Sequence, residues 1–258
     1  MYFNPVLSNL GQIKSTGNPS DRIFKEIFEN MPRLLLAVFI LGLILSCNRI
    51  DSGGIYDAGK IEYRITYLNA EEDHYDPSFL PKRMTLLFNQ DYSINQIDGF
   101  MGFFKLGNIT YFRNRKVKTH LKVLDQSYAF MGGRNEMMCC FDCMDGMILT
   151  EDTTTYDIAG LQSKKVQVSF DDSRDTFSIY YTKDINLQHP NVTNPYKDIN
   201  GVLTSFRLTM GPYLMQFRAT KFDPGKAPLE EMEIPSEAKE VNRVEMIAIL
   251  NRLMEQNM

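Results

Sequence analysis

From Gly59 the chain alternates apolar and polar residues, Ile61, Tyr63, Ile65 and Tyr67 against Glu62, Arg64 and Thr66. This is the period-two pattern of a strand with one buried face. Further β-rich runs follow at 83–88, 93–97, 100–106, 109–112, 116–124 and 126–131. The turns between them, Asn89-Gln90-Asp91 and Leu106-Gly107-Asn108 among them, are too short for parallel crossovers, which take a dozen residues or more. The neighbours are therefore expected to be antiparallel. A second set occupies 165–170, 176–182, 202–210 and 213–222, with 171–175 and Gly211-Pro212 as hairpin turns.

Within 116–123, Val117, Thr119, Leu121 and Val123 share one face and Lys116, Lys118, His120 and Lys122 the other. His120 is expected to project outward, as a structural or solvent-facing histidine. A closing helix is predicted over 242–257, N-capped by Asn242 with Glu245 reaching back three residues later. Its apolar face comprises Val244, Ile247, Leu250 and Met254, flanked by Met246, Ala248 and Leu253. The fold class is mainly β, one antiparallel domain over 59–258 ending in an amphipathic helix.

The N-terminal part carries a different message. Residues 34–46 are uncharged and follow Met31-Pro32-Arg33; a helix of that length spans about 20 Å against a hydrocarbon core of roughly 30 Å. A basic residue, a short apolar run and a small residue form the grammar of an export signal. Ile44-Leu45-Ser46-Cys47 resembles the lipobox of bacterial lipoproteins, with bulky Leu45 as a departure. The resemblance implies that Cys47 is acylated and becomes the mature N-terminus. The expected organisation is 1–30 as a start-site artefact or extended n-region, 31–46 as signal peptide and 47–58 as tether. Gly53-Gly54 makes that tether flexible.

Four basic and three acidic residues precede Cys47, leaving 24 against 29 and a net charge of −5 for the rest. That balance argues against nucleic acid as a partner. The expected location is the cell envelope, as an outer-membrane lipoprotein facing the periplasm, since no acidic run follows Cys47 directly.

The residues with chemical potential are few. Met137, Met138, Cys139, Cys140, Cys143 and Met144, with Met131 and Met147 flanking, form a soft-ligand cluster suited to copper or zinc. In an oxidising compartment the same thiols would form one disulfide, with the methionines as core filler. Cys140 and Cys143 have the C-x-x-C spacing of thiol oxidoreductases, but β hairpins surround them instead of a helix N-terminus. The loop 71–76 gathers carboxylates around His74, and the remaining histidine, His189, precedes Pro190. G-x-S-x-G, P-loop, G-x-G-x-x-G and H-E-x-x-H patterns are absent from the sequence. Neither catalysis nor a cofactor is expected.

Residues 156–166, YDIAGLQSKKV, resemble the I-x-G-(aromatic or Leu)-x-x-K-K-(Ala or Val) signature of the GLPGLI family of gram-negative exported proteins. Tyr180-Tyr181-Thr182, Asn194-Pro195-Tyr196, Ile199-Asn200-Gly201-Val202-Leu203, Ala219 and Ile234-Pro235 continue the likeness. Ser163 stands where the family often has cysteine, and 198–203 read DINGVL in place of the naming string. The resemblance implies a curved antiparallel sheet or half-barrel of the LolA/LolB lipoprotein-carrier type, whose concave face holds an acyl chain beneath a helix. On that reading the chain binds an apolar ligand or an envelope protein partner. Phe100, Met101, Phe103, Phe104, Phe130 and Met131 are the candidate wall residues, and the soft-metal site is the alternative.

Overall fold

The computed structural model describes residues 56–71, 78, 80–99, 102, 104–142, 144–172, 174–225 and 237–255. The chain divides into two compact units, Met1–Ser52 and Gly53–Met258, and every described residue belongs to the second. The signal region, Cys47, the tether up to residue 55 and the loop around His74 lie outside the described residues.

The described strands form a single curved, unclosed sheet that is antiparallel apart from one short pairing. Strands β1 (Gly59–Tyr67), β2 (Arg83–Phe88), β3 (Tyr92–Asp98), β4 (Phe104–Tyr111), β5 (Lys116–Val123) and β6 (Gln126–Met131) make one meander. Strands β7 (Met147–Ile158), β8 (Leu161–Phe170), β9 (Phe177–Thr182), β10 (Val202–Met210) and β11 (Tyr213–Pro224) make another. The two join where β1 pairs with β11, Ile65 opposite Phe217. The two-residue β12 (Lys239–Glu240) adds to β6 in parallel, and helix α1 (Arg243–Glu255) follows. The fold class expected from the sequence is the one observed, down to the helix cap: Glu245 N donates to Asn242 Oδ1 at 3.0 Å and Asn242 N to Glu245 Oε2 at 2.9 Å.

Two local expectations are corrected, and one strand, β7, was not expected. Leu106-Gly107-Asn108 is not a turn but the middle of β4, paired with β3 on one side and β5 on the other. Asn108 is tolerated there because its Oδ1 accepts a 2.6 Å bond from Thr119, so the buried amide keeps a partner. β7, rich in threonine and exposed along most of its length, went unread because its outer edge is unpaired and its apolar alternation is weak. On α1, Val244 is 76 % exposed, and the buried pair is Met246 and Leu250.

Candidate functional site

The inner face of the sheet is where a ligand of a half-barrel would sit, so its contents decide what the fold can hold. Alternation places Tyr63, Met84, Leu86, Leu106, Leu121, Phe206, Met215 and Phe217 on it, all in one buried cluster. Three other segments of the chain lie in the same cluster. Segment 132–142 brings Met138, Cys139, Cys140 and Phe141; segment 183–201 brings Ile185, Leu187, Tyr196 and Ile199; α1 brings Met246 and Leu250.

Segment 183–201 is tied down by polar side chains that leave no buried side-chain nitrogen or oxygen unpartnered among the described residues. Asn191 Nδ2 donates to the carbonyls of Ile199 at 2.9 Å and Gly201 at 2.8 Å. Thr193 and Thr110 share a 2.7 Å hydroxyl bond that stitches the segment to β4. The Tyr196 hydroxyl donates to Arg207 O at 2.6 Å, and burial raises its pKa well beyond the usual phenol value. Tyr63 does the same toward Leu203 O at 2.7 Å, again with burial raising its pKa. Segment 132–142 is bonded to its neighbours in turn, Met138 N to Thr193 O at 2.7 Å and Asp142 N to Thr209 O at 2.9 Å. Arg243 of α1 donates to Met137 O at 2.7 Å and pairs with Glu136 at 3.3 Å.

Among the described residues this face holds a cavity of about 40 Å³ edged by Tyr63, Ser93, Asn95, Asn191, Asn194 and Phe206. Ligand pockets run from about 300 Å³ upward. Among the described residues, segments 132–142 and 183–201 and α1 pack on this face.

Of the proposed wall residues, Phe130 is buried in this core and Phe104 packs against it. Met131 is 54 % exposed; it follows Phe130 on β6 and so points to the opposite face, which removes it from any inner wall. Phe100, Met101 and Phe103 lie outside the described residues.

Cys139 and Cys140 are buried free thiols with their Sγ atoms 2.8 Å apart. Cys140 takes φ 78°, a left-handed backbone unusual for a side-chain-bearing residue, which folds the pair back on itself. The hydrogen bond between the thiols holds Cys139 below the usual thiol pKa, aided by Arg243, while the same bond and burial push Cys140 up. Two sulfurs on one tetrahedral zinc stand about 3.8 Å apart, given Zn–S bonds of about 2.3 Å, so this pair would have to open to share a metal. No group of three or more His, Cys, Asp or Glu is arranged to hold a metal among the described residues, and Cys143 lies outside them. At 0 % and 7 % exposure, Cys139 and Cys140 are expected to escape maleimide in the native protein and to react fully in denaturant. Native labelling as fast as in denaturant, read by peptide mass, would contradict this packing.

His120 takes the structural of its two expected roles. It lies on the lysine side of β5 as expected but is only 4 % exposed. Its strand neighbours are Gly107 and Ala129, small enough to let the ring lie against the sheet, and its Nε2 shares a 2.6 Å hydrogen bond with Ser127 Oγ. Burial foremost, then the charges of Lys105, Lys118 and Lys122, lower its pKa. A lowered folded pKa means that the unfolded chain binds the proton first, so stability is full above about pH 6.5 and falls as the pH drops through the folded value. His120→Gln should flatten the fall in Tm on acidification from neutral pH; an unchanged pH profile would show that His120 does not titrate with unfolding.

Ser163, fully buried on β8, donates to Leu161 O at 3.2 Å and accepts from Thr204 at 2.8 Å. Its role in this chain is to bond β8 to β10 across the sheet. No helix among the described residues is long and apolar enough to cross a membrane. Comparison with protein-family models and with curated proteins finds no match.

Proposed function

We propose that this protein is a membrane-tethered envelope lipoprotein, acylated at Cys47, that works by binding at its outer surface. Catalysis and carriage of an apolar chain inside the sheet are not part of this reading. The observation that supports it is that, among the described residues, segments of the chain itself pack on the inner face, and the cavity described there is about 40 Å³ where an acyl chain or small ligand would need about 300 Å³ or more. The lipobox-like Ile44–Cys47 string supports the anchor, and acyl chains would supply it at about 0.8 kcal/mol per buried CH₂. Kinship with the GLPGLI proteins is part of the proposal and rests on the motif residues quoted above. A rigid, self-plugged sheet on a short tether is a scaffold that presents a surface.

The test is organic extraction of protein purified from its native membrane, followed by mass spectrometry of the extract. The expected result is no apolar molecule in stoichiometric amount beyond the covalent acyl groups. One lipid per protein would return the carrier function to the inner face.

A further inference from the structure

The outer face of the sheet carries five cations and one acid at one level across six neighbouring strands. Lys122 of β5 is paired with Lys105 of β4, and Lys105 with Asp98 of β3. Arg83 of β2 is next along from the Met84–Ile97 pair and stands opposite Arg64 of β1, which in turn stands opposite Arg218 of β11. Residues directly opposite in antiparallel strands share a face, and at about 4.8 Å per strand the row is roughly 24 Å long. Arg64, Arg83, Arg218 and Lys122 are exposed, and Lys105 is half-buried.

Like charges placed directly opposite are unfavourable, and the chain as a whole is net negative at −4. Even so, none of the five cations has an ion pair among the described residues; the carboxylates go instead to Lys60, Lys165, Arg174, Lys221 and Arg243. Asp98, the one acid in the row, accepts both its side-chain bonds from Gln96. Beside the arginines lies a surface hollow of about 450 Å³ walled by Arg64, Lys82, Arg83 and Thr220, with Glu62 at its rim held by Lys60 at 3.3 Å. Guanidinium groups with all their donors free are suited to bidentate bonding with phosphate oxygens.

We propose that this row binds the phosphate headgroups of an anionic phospholipid surface, with the three arginines at its centre and the lysines as its flank. The inference deepens the proposed function and rests on Cys47 as the anchor. Eight residues separate Cys47 from Tyr56, a reach of about 30 Å when extended. Tyr56 is fixed to the body by its N–H to Asp184 O at 2.7 Å, so an anchor at Cys47 would keep the folded body within that reach of a bilayer. Attraction between basic side chains and anionic lipid acts within a Debye length of the surface and is weakened by salt.

The test uses the acylated protein purified from its native membrane and reconstituted on vesicles of phosphatidylcholine alone or mixed with phosphatidylglycerol. Arginines are modified with phenylglyoxal and read by peptide mass. Arg64, Arg83 and Arg218 should react several-fold more slowly on the mixed vesicles, with the difference abolished by high salt. Arg113 and Arg134, exposed away from the row, should react equally on both. Equal modification of the row on both vesicles overturns the proposal, as does protection already present in detergent, which would mean that protein covers the row. Flotation reads the anchor separately. Loss of flotation with phosphatidylcholine defeats the tether, while selective protection by mixed vesicles would uphold the row even then.

Discussion

Phe217→Ala is expected to lower the unfolding free energy by about 3–5 kcal/mol, a fall in Tm of roughly 6–20 °C for a domain of this size. Phe217 is fully buried on β11 at the seam of the two meanders. Its ring stacks on Phe206 with centroids 5.0 Å apart and planes 7° from parallel. Phe206 also meets Tyr63 and Tyr196 edge-on, at 5.8 Å and 6.3 Å, so truncation opens a hole in a cluster shared by the sheet and segment 183–201. Well-packed interiors cannot close such a hole fully. Urea titration of the two proteins gives the number. A loss below about 1 kcal/mol, far under the range for a packed phenylalanine, would mean that the inner face is loosely filled and would reopen the case for a ligand there.

Gly201→Ala is the second large effect, and it separates the plug from the sheet. A Cβ at residue 201 would lie 2.4 Å from Tyr181 Cδ2 and 2.6 Å from Thr182 O. Neither obstacle yields easily. Thr182 O belongs to the backbone of β9, and the Tyr181 ring is held by its hydroxyl, which donates to Glu151 at 2.7 Å; burial and that carboxylate push the Tyr181 pKa up to about 12. Gly201 O is also one of the two carbonyls that Asn191 grips. Overpacking of this kind costs typically about 1–3 kcal/mol, and here it should be spent on lifting 183–201 from the inner face. Hydrogen exchange should speed up at Ile199, whose N–H bonds to Tyr196 O, and at Asn194, bonded to Asn191 O, while β4 and β5 stay protected. Uniform acceleration across the sheet would show that segment and sheet open as one unit.

The contrast between these residues explains what the sequence disclosed. Strand β1 was legible because it has one buried and one more open face, and its period-two pattern follows directly. The position of the helix was legible from its cap, although its buried face was not, since Val244 and Met246 are equally apolar and only the packing against the core separates them. β4 was misread because Gly107-Asn108 carries a turn's composition, and only a partner strand supplying Thr119 makes Asn108 acceptable inside a sheet. The filling of the inner face was not legible at all. Segment 183–201 reads as a polar loop, yet Asn191 and Thr193 are buried and bonded, and its few apolar residues go inward. The row of cations was hidden for a related reason: Arg64, Arg83 and Arg218 are far apart in sequence, and registers alone bring them together. The stretch Ile199–Leu203 and Ser163, by contrast, stand out in the sequence as motif positions, and in the structure Gly201 O accepts from Asn191 and Ser163 joins β8 to β10 through Thr204.

The account depends most on the tether, because a sheet plugged from within needs an anchor to place its outer surface against anything. Intact mass of the protein taken from its native membrane fraction, without added reductant, tests that directly. The account predicts a chain beginning at Cys47 and carrying acyl groups. A chain beginning at Met1 or Met31 with no lipid attached would contradict it.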